Sequence, residues 1–336
     1  MRDRLRKIWP LAAVLVLLAA TIIPIRLYGL RAFIGPAARP LTDRHFDSTP
    51  QRIARGKYLV EGVAHCFGCH SPIDPNSTTG EPPAGQEGIG DSFQPAPGFT
   101  IVFPNLTPDA ETGIGKLTDD QLARAIREGI SHDGRAMIPL MPYRHFRYMS
   151  DEDLASIIVF LRSRPPVRHP LPAPQIPWKK QARYNRYPLP VLAPVPPPDF
   201  RDPVKLGAYY VRLGKCIDCH TPLDHDNQPL PGLDLAGGNF LDEANLATPN
   251  LTPDPSGISY YDEGLFIRAM RTGKVGARPL QPVMPWRFIG HMNDDDLRAI
   301  FAYLRSLKPV HHRVDNTLPR TYCRLCRQKH GAGDQN

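Results

Sequence analysis

Apolar residues recur at intervals of three and four positions in two stretches of the chain, and both stretches are typical of amphipathic helices. The two stripes are Leu154, Ile157, Ile158 and Leu161, and Leu297, Ile300, Phe301 and Leu304. Each predicted helix follows a residue suited to the N-cap, Ser150 or Asn293, and has acidic residues in its first turn, where they favour the helix dipole. No sustained alternation of apolar and polar positions indicates a strand. The pattern therefore predicts an all-α protein.

Shorter helices are predicted at corresponding places ahead of these two. In the first half, Thr118 and Gln121 form a capping box that begins a middle helix, and Gly129 ends it. In the second half, a matching helix begins near Asp262 and ends at Gly273. The two halves of the chain thus show the same order of helices.

Short motifs show that the two halves are copies of one unit. The matching motifs are CFGCH (66–70) and CIDCH (216–220), NLTPD (105–109 and 250–254), and PLMPY (139–143) and PVMPW (282–286). The offset between copies falls from 150 residues at the first motif to 143 at the last helix. This is expected if a domain-sized unit was duplicated and its loops were then shortened.

The repeat divides the 336 residues into two domains and their connections. The predicted segments are a basic stub and transmembrane anchor (1–31), a tether (32–49), the first domain (50–163), a linker (164–203), the second domain (204–310) and a basic tail (311–336). The linker holds a third of the chain's 39 prolines, which is too dense for a helix and suits a stiff extended connector.

Residues 8–25 are uncharged and follow the basic sequence MRDRLRK. These 18 residues are barely enough to cross a bilayer, and the basic cluster would stay in the cytoplasm. A signal peptide cleaved after Ala20 is the alternative, although Leu18 suits such a site poorly. Both interpretations export the chain. We therefore expect the domains in the periplasm, on a single N-terminal anchor in a bacterial inner membrane.

The net charge of +8 lies mainly outside the repeated domains. The anchor, linker and tail are basic, whereas both domains are slightly acidic. Neither domain contains a basic patch interleaved with aromatic residues, so no nucleic-acid partner is expected.

A CxxCH motif in an exported protein is typical of covalent haem c attachment. Two thiols on one helical turn can each form a thioether with a haem vinyl group, and the next imidazole then lies beneath the iron. The chain is therefore expected to hold two haems c, on Cys66, Cys69 and His70, and on Cys216, Cys219 and His220. The alternatives are a redox dithiol, which would require a βαβ context, a disulfide, or half of a zinc site, which would need further ligands.

Each haem iron also needs a sixth ligand or an open position, and the repeat points to Met141 and Met284. Both lie in a P-x-M-P loop between the middle and final helices. Methionine often fills gaps in a core instead, and Met137, Met149 and Met292 are the fallback candidates. Ligation by histidine and methionine raises the haem potential and closes the coordination sphere, which suits electron transfer.

The string RGKYLVEGVAHCFGCH, followed by NLTPDAETGIG, a short helix, LMPY and SDEDLASIIVFLRS, resembles the class I cytochrome c module of membrane-bound alcohol, aldehyde and gluconate dehydrogenase complexes. The resemblance covers residues 50–163 and 204–310. It implies an electron carrier rather than an enzyme: a dehydrogenase subunit would donate electrons, and quinone, a soluble cytochrome or a terminal oxidase would accept them. Many such proteins carry three haem modules, whereas this chain has two CxxCH motifs.

Three further pairs of equivalent residues are candidates for the haem pockets. They are Asn105 and Asn250, Tyr143 and Trp286, and Arg144 and Arg287. The asparagines stand in the NLTPD turns and are expected to bond near a haem propionate, with a purely structural turn as an equal alternative. The aromatic residues and arginines follow the methionines and are expected to pack against the haem and to pair with its charge.

The tail carries Cys323 and Cys326, but Arg327 stands where a haem-binding histidine would be needed. Together with His330 they offer too few ligands for zinc, so a disulfide or free thiols are expected. The histidines without an equivalent in the other repeat are expected to be solvated: His132, His145, His225, His291, His311 and His312.

The alternative function is a di-haem enzyme resembling a cytochrome c peroxidase, which also has two CxxCH motifs at a similar length. Such an enzyme needs one haem with an accessible coordination site. The matching P-x-M-P loops argue against it. A haem sensor would need an output domain, and the sequence shows none.

Overall fold

The computed structural model describes residues 20, 23, 25, 26, 29–77, 80–224, 228–241 and 245–336. The helices are α1 (Arg31–Ile34), α2 (Pro50–Tyr58), α3 (Asp119–Glu128), α4 (Tyr143–Phe146), α5 (Asp151–Ser163), α6 (Trp178–Tyr184), α7 (Pro203–Leu213), α8 (Cys216–His220), α9 (Glu263–Thr272), α10 (Trp286–Ile289) and α11 (Asp294–Ser306). A π-helical turn covers Leu59–Val63, and 3-10 turns cover Cys66–Gly68 and Gly333–Gln335.

The expectation of an all-α fold was wrong, because four antiparallel two-stranded ribbons accompany the helices. They pair β1 (Asp91–Ala96) with β2 (Phe99–Phe103), β3 (Phe240–Leu241) with β4 (Leu246–Ala247), β5 (Lys274–Val275) with β6 (Arg278–Pro279), and β7 (Arg320–Tyr322) with β8 (Lys329–Gly331). Strands of two or three residues are too short to show an alternating pattern. The longest one, β1, contains Pro95 and an irregular register between Phe93 and Ala96, and proline argues against a strand in sequence.

The predicted N-terminal transmembrane helix also finds no support in the structure. Among the described residues, no helix combines the length and the apolar character needed to cross a bilayer. Apart from Ala20, Ile23 and Ile25, the predicted span at 8–25 lies outside those residues.

Each unit is built on a close crossing of its first and last helices. A Cβ atom on Gly56 of α2 would stand 2.0 Å from the carbonyl oxygen of Ser156 in α5. A Cβ on Gly207 of α7 would stand 1.9 Å from the carbonyl oxygen of Ala299 in α11. Only glycine allows backbones to approach this closely. The two glycines therefore define the same packing in both copies.

The copies differ by one residue between this glycine and the CxxCH motif. Cys66 follows Gly56 by ten positions, whereas Cys216 follows Gly207 by nine. The π-helical turn Leu59–Val63 takes up the extra residue in the first unit, since a π-turn accommodates a single insertion within a helix. The CxxCH turn therefore follows an equivalent helix in both units.

The two units share one hydrophobic core. Its buried side chains come from both copies, and Leu59, Leu154, Leu213 and Leu297 are fully inaccessible to solvent. Burial of apolar side chains is the main favourable term in folding. The units are therefore packed directly against each other in addition to being linked in sequence.

The linker differs from the expected extended connector. Its residue Gln175 exchanges backbone hydrogen bonds of 2.8 and 3.0 Å with Thr100 at the end of the first ribbon. Helix α6 lies within it, on the proline-free sequence WKKQARY. The linker is thus attached to the surface of the first unit.

Candidate haem sites

Both CxxCH motifs form a helical turn directly after a residue in the left-handed conformation. The φ angle is 35° at His65 and 60° at Lys215, a region that side-chain-bearing residues seldom adopt. This residue ends the preceding helix and redirects the chain. The turns Cys66–Gly68 and Cys216–His220 therefore begin in the same way.

The histidines of the two motifs are oriented by equivalent carbonyl groups. Nδ1 lies 2.8 Å from the Pro104 oxygen in His70, and 2.9 Å from the Pro249 oxygen in His220. A carbonyl can only accept, so Nδ1 carries the proton and Nε2 is left free to bind a metal ion. Burial lowers the pKa of His70 to about 4 and lowers the pKa of His220 as well, which keeps both rings neutral.

The four thiols of the motifs are free. Cys66, Cys69 and Cys216 are half-buried and Cys219 is exposed. Desolvation raises the pKa of Cys66 and Cys216 to about 12. Each motif thus offers two free thiols and one free imidazole nitrogen on a single turn. This donor set fits a covalently bound haem c at each motif.

A glycine connects each CxxCH turn to its NLTPD loop. Gly90 N–H donates to the His70 carbonyl at 2.8 Å, and Gly237 N–H donates to the His220 carbonyl at 2.7 Å. Both have positive φ, and a Cβ would stand 2.7 and 2.5 Å from the backbone nitrogens of Asn105 and Asn250. Only glycine fits at either position. The two loops are therefore held tightly behind the histidines.

The NLTPD asparagines use their amides inside the loop. Asn105 Nδ2 donates to the Val167 carbonyl at 2.8 Å, and its Oδ1 accepts from Thr107 N at 2.9 Å. Asn250 makes the same two contacts, with the Val310 carbonyl at 2.8 Å and Thr252 N at 2.9 Å. These contacts favour the structural interpretation of the turn. A contact of either amide with a haem propionate stays a prediction.

Met141 and Met284 occupy equivalent, half-buried positions. Their carbonyls accept from the backbone N–H two residues further on, at 2.9 and 2.8 Å, so both loops make the same tight turn. The preceding residues, Leu140 and Val283, are 51% and 47% exposed. An uncovered apolar side chain beside each methionine fits a face that a haem would cover. Axial ligation by the two methionines stays a prediction.

Two of the fallback methionines are core residues. Met149 and Met292 also occur 143 residues apart, and they are 0% and 1% exposed within the hydrophobic core. Met137 is half-buried in the first unit. Full burial in both copies favours a packing role for Met149 and Met292, and the choice among the methionines stays a prediction.

Tyr143 and Trp286, which follow the methionines by two positions, pack against the C-terminal ends of helices α3 and α9. Tyr143 is 2% exposed, and its ring lies 2.5 Å from where a Cβ on Gly129 would stand. Trp286 lies in the same way against Gly273, at 2.3 Å. Each ring thus needs a glycine at the helix end, which explains the two C-terminal glycines. Their contact with a haem stays a prediction.

The two arginines have different surroundings. Arg144 is exposed and lies 5.5 Å from the centre of the Tyr187 ring. Arg287 donates to the Gly80 carbonyl of the first unit at 2.8 Å, and desolvation lowers its pKa. Arg287 therefore contributes to the contact between units. The pairing of either arginine with haem charge stays a prediction.

Sequence analysis missed two residues through which each unit contacts the CxxCH turn of the other. His145 Nε2 lies 2.6 Å from Asp218, inside the second motif. At the equivalent position of the other unit, Phe288 stacks on His65 with ring centres 5.8 Å apart and covers Gly68 of the first motif. The expectation that His145 is solvated was wrong, because its side chain is only 19% exposed. The alignment of the two repeats shows that positions 145 and 288 are equivalent. It does not show that their side chains contact the other unit.

The remaining histidines divide into three groups. His132, His291 and His311 are exposed, as predicted. His225 lies outside the described residues. His312 is fully buried, and it has an equivalent, His169, 143 residues earlier, so both parts of its prediction were wrong.

The duplicated unit, with its CxxCH turns and oriented histidines, resembles a c-type cytochrome. No protein-family model matches the chain. It is 33% identical over 273 residues to the fructose dehydrogenase cytochrome subunit of Gluconobacter japonicus, covering 76% of this chain and 52% of that protein. It is 30% identical over 282 residues to the cytochrome c subunit of the quinone alcohol dehydrogenase of Gluconacetobacter polyoxogenes, covering 79% and 58%. It is 27% identical over 253 residues to a diheme cytochrome c of Cereibacter sphaeroides, covering 73% and 82%.

The chain is homologous to the cytochrome c subunits of alcohol, fructose and gluconate dehydrogenases and to a diheme cytochrome c. This confirms the resemblance inferred from the motifs. The chain spans between 52% and 58% of the length of the fructose and alcohol dehydrogenase subunits named above. These relatives are named as cytochrome subunits, which agrees with an electron carrier that is not itself the catalytic subunit.

Proposed function

We propose that this protein is a di-haem electron carrier on the periplasmic side of a bacterial inner membrane. A dehydrogenase subunit would be its electron donor, and quinone, a soluble cytochrome or a terminal oxidase would be its acceptor. Haem c bound at each CxxCH motif would supply an iron centre that gains and loses one electron. The names of the relatives support the choice of a dehydrogenase as donor.

The observation that carries the proposal is a reciprocal pair of contacts, in which the CxxCH turn of each unit is contacted by a residue of the other unit. His145 of the first unit binds Asp218 in the second motif, and Phe288 of the second unit packs on Gly68 in the first. Both motifs therefore lie at the interface between the units. Two haems attached at one interface would be placed for electron transfer within the chain.

The side chains around each motif have separate tasks in this proposal. His70 and His220 would bind iron through the free Nε2, with the tautomer set by Pro104 and Pro249. Met141 and Met284 would supply the second protein ligand of each iron. A complete set of protein ligands in both units excludes peroxide or oxygen from the metal. The equivalent turns at the two methionines therefore favour the carrier over a peroxidase-like enzyme.

The first experiment counts the haems. The full chain is expressed with a cytochrome maturation apparatus, and its intact mass is compared with that of two variants. Replacing both cysteines of the first motif, Cys66 and Cys69, by alanine should leave one haem, and so should replacing Cys216 and Cys219. Each variant serves as the control for the other. A wild-type protein that carries fewer than two haems would overturn the di-haem assignment.

The second experiment separates the carrier from the enzyme. Reduced protein is mixed with carbon monoxide, oxidised protein with peroxide, and absorption is followed in a stopped-flow instrument. A carrier with closed coordination should react slowly with both. Rapid binding or peroxide turnover would support the peroxidase-like function instead. Purification of the native protein from membranes, with identification of the subunits that accompany it, tests the dehydrogenase partner.

A further inference from the structure

The C-terminal tail folds into a hairpin that brings four metal-binding side chains together. Strands β7 and β8 flank a turn that contains Cys323 and Cys326, and His330 lies on β8. His312, which precedes the hairpin, completes the cluster. The four side chains are 0%, 1%, 0% and 0% exposed, in the same order. The prediction that the tail has too few ligands for zinc was wrong, because His312 was predicted to be exposed to solvent and was not counted.

The distances within the cluster fit a single tetrahedral ion. His312 Nε2 lies 3.0 Å from His330 Nε2 and 3.5 Å from Cys323 Sγ, and all four ligand atoms lie within 4.8 Å of one another. Tetrahedral zinc, with bonds of about 2.0–2.1 Å to nitrogen and about 2.3 Å to sulfur, places two nitrogens about 3.3 Å apart and nitrogen and sulfur about 3.6 Å apart. An iron–sulfur cluster would need its ligands spread around more than one iron. One ion of zinc size therefore matches the spacing.

The hydrogen bonds of the two imidazoles leave their facing nitrogens without a proton. Nδ1 of His312 lies 2.9 Å from the Ala236 carbonyl, and Nδ1 of His330 lies 2.9 Å from the Gly331 carbonyl. Because a carbonyl only accepts, each proton sits on Nδ1, and the two Nε2 lone pairs face each other at 3.0 Å. Moving a proton to one Nε2 would leave its Nδ1 facing a carbonyl. A cation between the nitrogens satisfies both rings, and a carbonyl behind each ligating histidine is usual in metal sites.

The cysteine side of the cluster is arranged for thiolates. Asn336 Nδ2 donates to Cys323 Sγ at 3.1 Å, and such a donor stabilises negative charge on sulfur. Arg327 N–H donates to the Cys323 carbonyl at 2.9 Å and has a left-handed φ of 59°, which closes the turn around both thiols. Two thiolates and one divalent cation are neutral together, so the buried site avoids an uncompensated charge.

We propose that His312, Cys323, Cys326 and His330 form a structural Zn2+ site. Four protein ligands leave no open position for a substrate, and this is the arrangement of structural rather than catalytic zinc. Zinc is also the metal that a tetrahedral set of two sulfurs and two nitrogens favours. The proposal concerns the tail and does not rest on the function proposed above.

The site would fasten the tail to the loop that supports His220. A Cβ on Gly238 would stand 2.5 Å from the His312 ring, and the adjacent Gly237 donates to the His220 carbonyl at 2.7 Å. Asn250 of the NLTPD loop also donates to the His312 carbonyl, at 3.4 Å. Bound zinc would therefore stabilise the second unit around its CxxCH turn.

The first unit offers a matched control. His169 occurs 143 residues before His312, and their backbone N–H groups donate to Thr112 and Ser256 in the same way, both at 3.0 Å. His169 lies outside the cluster of potential ligands found among the described residues. The zinc site thus belongs to the second unit, and replacement of His169 should leave it intact.

The test measures metal in the full haem-loaded chain, purified without a histidine tag. Inductively coupled plasma mass spectrometry should find one zinc per chain in addition to iron. Zinc K-edge absorption should show two sulfur neighbours at about 2.3 Å and two nitrogen neighbours at about 2.0–2.1 Å. A chain without zinc whose intact mass shows a disulfide between Cys323 and Cys326 would overturn the proposal, and so would zinc with oxygen ligands only.

Single substitutions, followed by measurement of bound zinc, test which side chains are the zinc ligands. Cys326→Ser and His330→Gln should each lose the zinc, whereas His169→Gln and His311→Gln should keep it. If the first two fail to fold, the wild-type protein is stripped with a chelator, and its melting temperature is measured before and after Zn2+ is returned. Zn2+ should restore the melting temperature and Mg2+ should not. Equal melting curves for stripped and reloaded protein would contradict the proposed role.

Discussion

The phenol of Tyr209 in the second unit donates a hydrogen bond of 2.6 Å to the Asp153 carboxylate in the first unit. The reverse contact joins Tyr58 of the first unit to Asp296 of the second, at 2.5 Å. Desolvation and the neighbouring carboxylate raise the pKa of both tyrosines, so both remain protonated donors at neutral pH. Each phenol also accepts from the N-cap backbone of the helix that it contacts, at Ser150 and Asn293. The last helix of each unit is thus held at its start by the other unit.

Replacing Tyr209 or Tyr58 by phenylalanine should destabilise the protein by about 1–2 kcal/mol each, because a buried carboxylate loses a donor. Asp153 keeps its two hydrogen bonds from Arg55, which limits the cost. Denaturant unfolding followed by far-ultraviolet circular dichroism measures the change. Tyr322→Phe is the control, since Tyr322 is 53% exposed. A double variant as stable as this control would show that the reciprocal contacts add nothing to the interface.

Replacing Met141 or Met284 by alanine should remove one methionine-to-iron charge-transfer band and lower one haem potential, because histidine–methionine ligation raises the potential. Both haems should stay attached through the cysteines. Absorption spectra and a redox titration report the two changes. Met149→Ala should keep both bands and instead cost about 2–5 kcal/mol of stability, since it leaves a cavity in the core. Loss of a band in the Met149 variant alone would transfer the ligand assignment to that residue.

The NLTPD asparagines can be tested for a structural role and a haem contact together. Asn105→Ala should destabilise the first unit by about 1–3 kcal/mol, because the buried Thr107 N–H loses its acceptor and the Val167 carbonyl loses one of its two donors. Asn250→Ala should have the same effect on the second unit. Thermal unfolding measures stability, and redox titration of the folded protein measures the haem potentials. Asn76, whose hydrogen bonds with Asp74 are exposed, is the control position.

The two measurements lead to different conclusions. A purely structural turn predicts lower stability with unchanged potentials. A shift of one potential in each asparagine variant would show that the amide also acts on a haem. Unchanged stability in both variants would contradict the loop contacts as a source of stability.

Elements governed by local chemistry were predicted well from the sequence. The Thr118–Gln121 capping box is present with both of its hydrogen bonds, and Ser150 accepts from Asp153 N at 3.1 Å as the N-cap of α5. Caps involve residues three positions apart, so the sequence alone specifies them. The CxxCH turns were recognised for the same reason.

Elements that depend on distant parts of the chain were missed. Strands β3 to β8 have two or three residues each and leave no alternating pattern in the sequence. The close contact between Phe288 and Gly68 joins residues 220 positions apart. His312 was misassigned because the strands that bury it come later in the chain. A search for histidines within about one hairpin length of Cys323 would have found it.

The tether before the first unit is held by a buried ion pair that should make the protein sensitive to acid. Arg39 donates to both carboxylate oxygens of Asp120, at 2.7 and 2.6 Å, and Thr42 N–H donates to the same group. Desolvation alone would raise the pKa of Asp120, but the bonds from Arg39 and Thr42 outweigh it and hold the pKa below its ordinary value of 3.8. A carboxyl with a lower pKa in the folded state stabilises the protein above its unfolded pKa. That stabilisation is lost as the pH falls below about 4.

Asp120→Asn should therefore have two effects. At pH 7 it should cost about 1–3 kcal/mol, because the hydrogen bonds from Arg39 and Thr42 lose a charged acceptor while Arg39 keeps its ion pair with Glu128. Below pH 4 its stability should fall less steeply than that of the wild type, since one group with a depressed pKa is gone. Urea unfolding between pH 7 and pH 2.5 measures both effects. Glu111→Gln, which removes an exposed pair with Arg168, should change stability at pH 7 by less than about 1 kcal/mol. Parallel curves for wild type and Asp120→Asn below pH 4 would mean that another carboxyl causes the acid sensitivity.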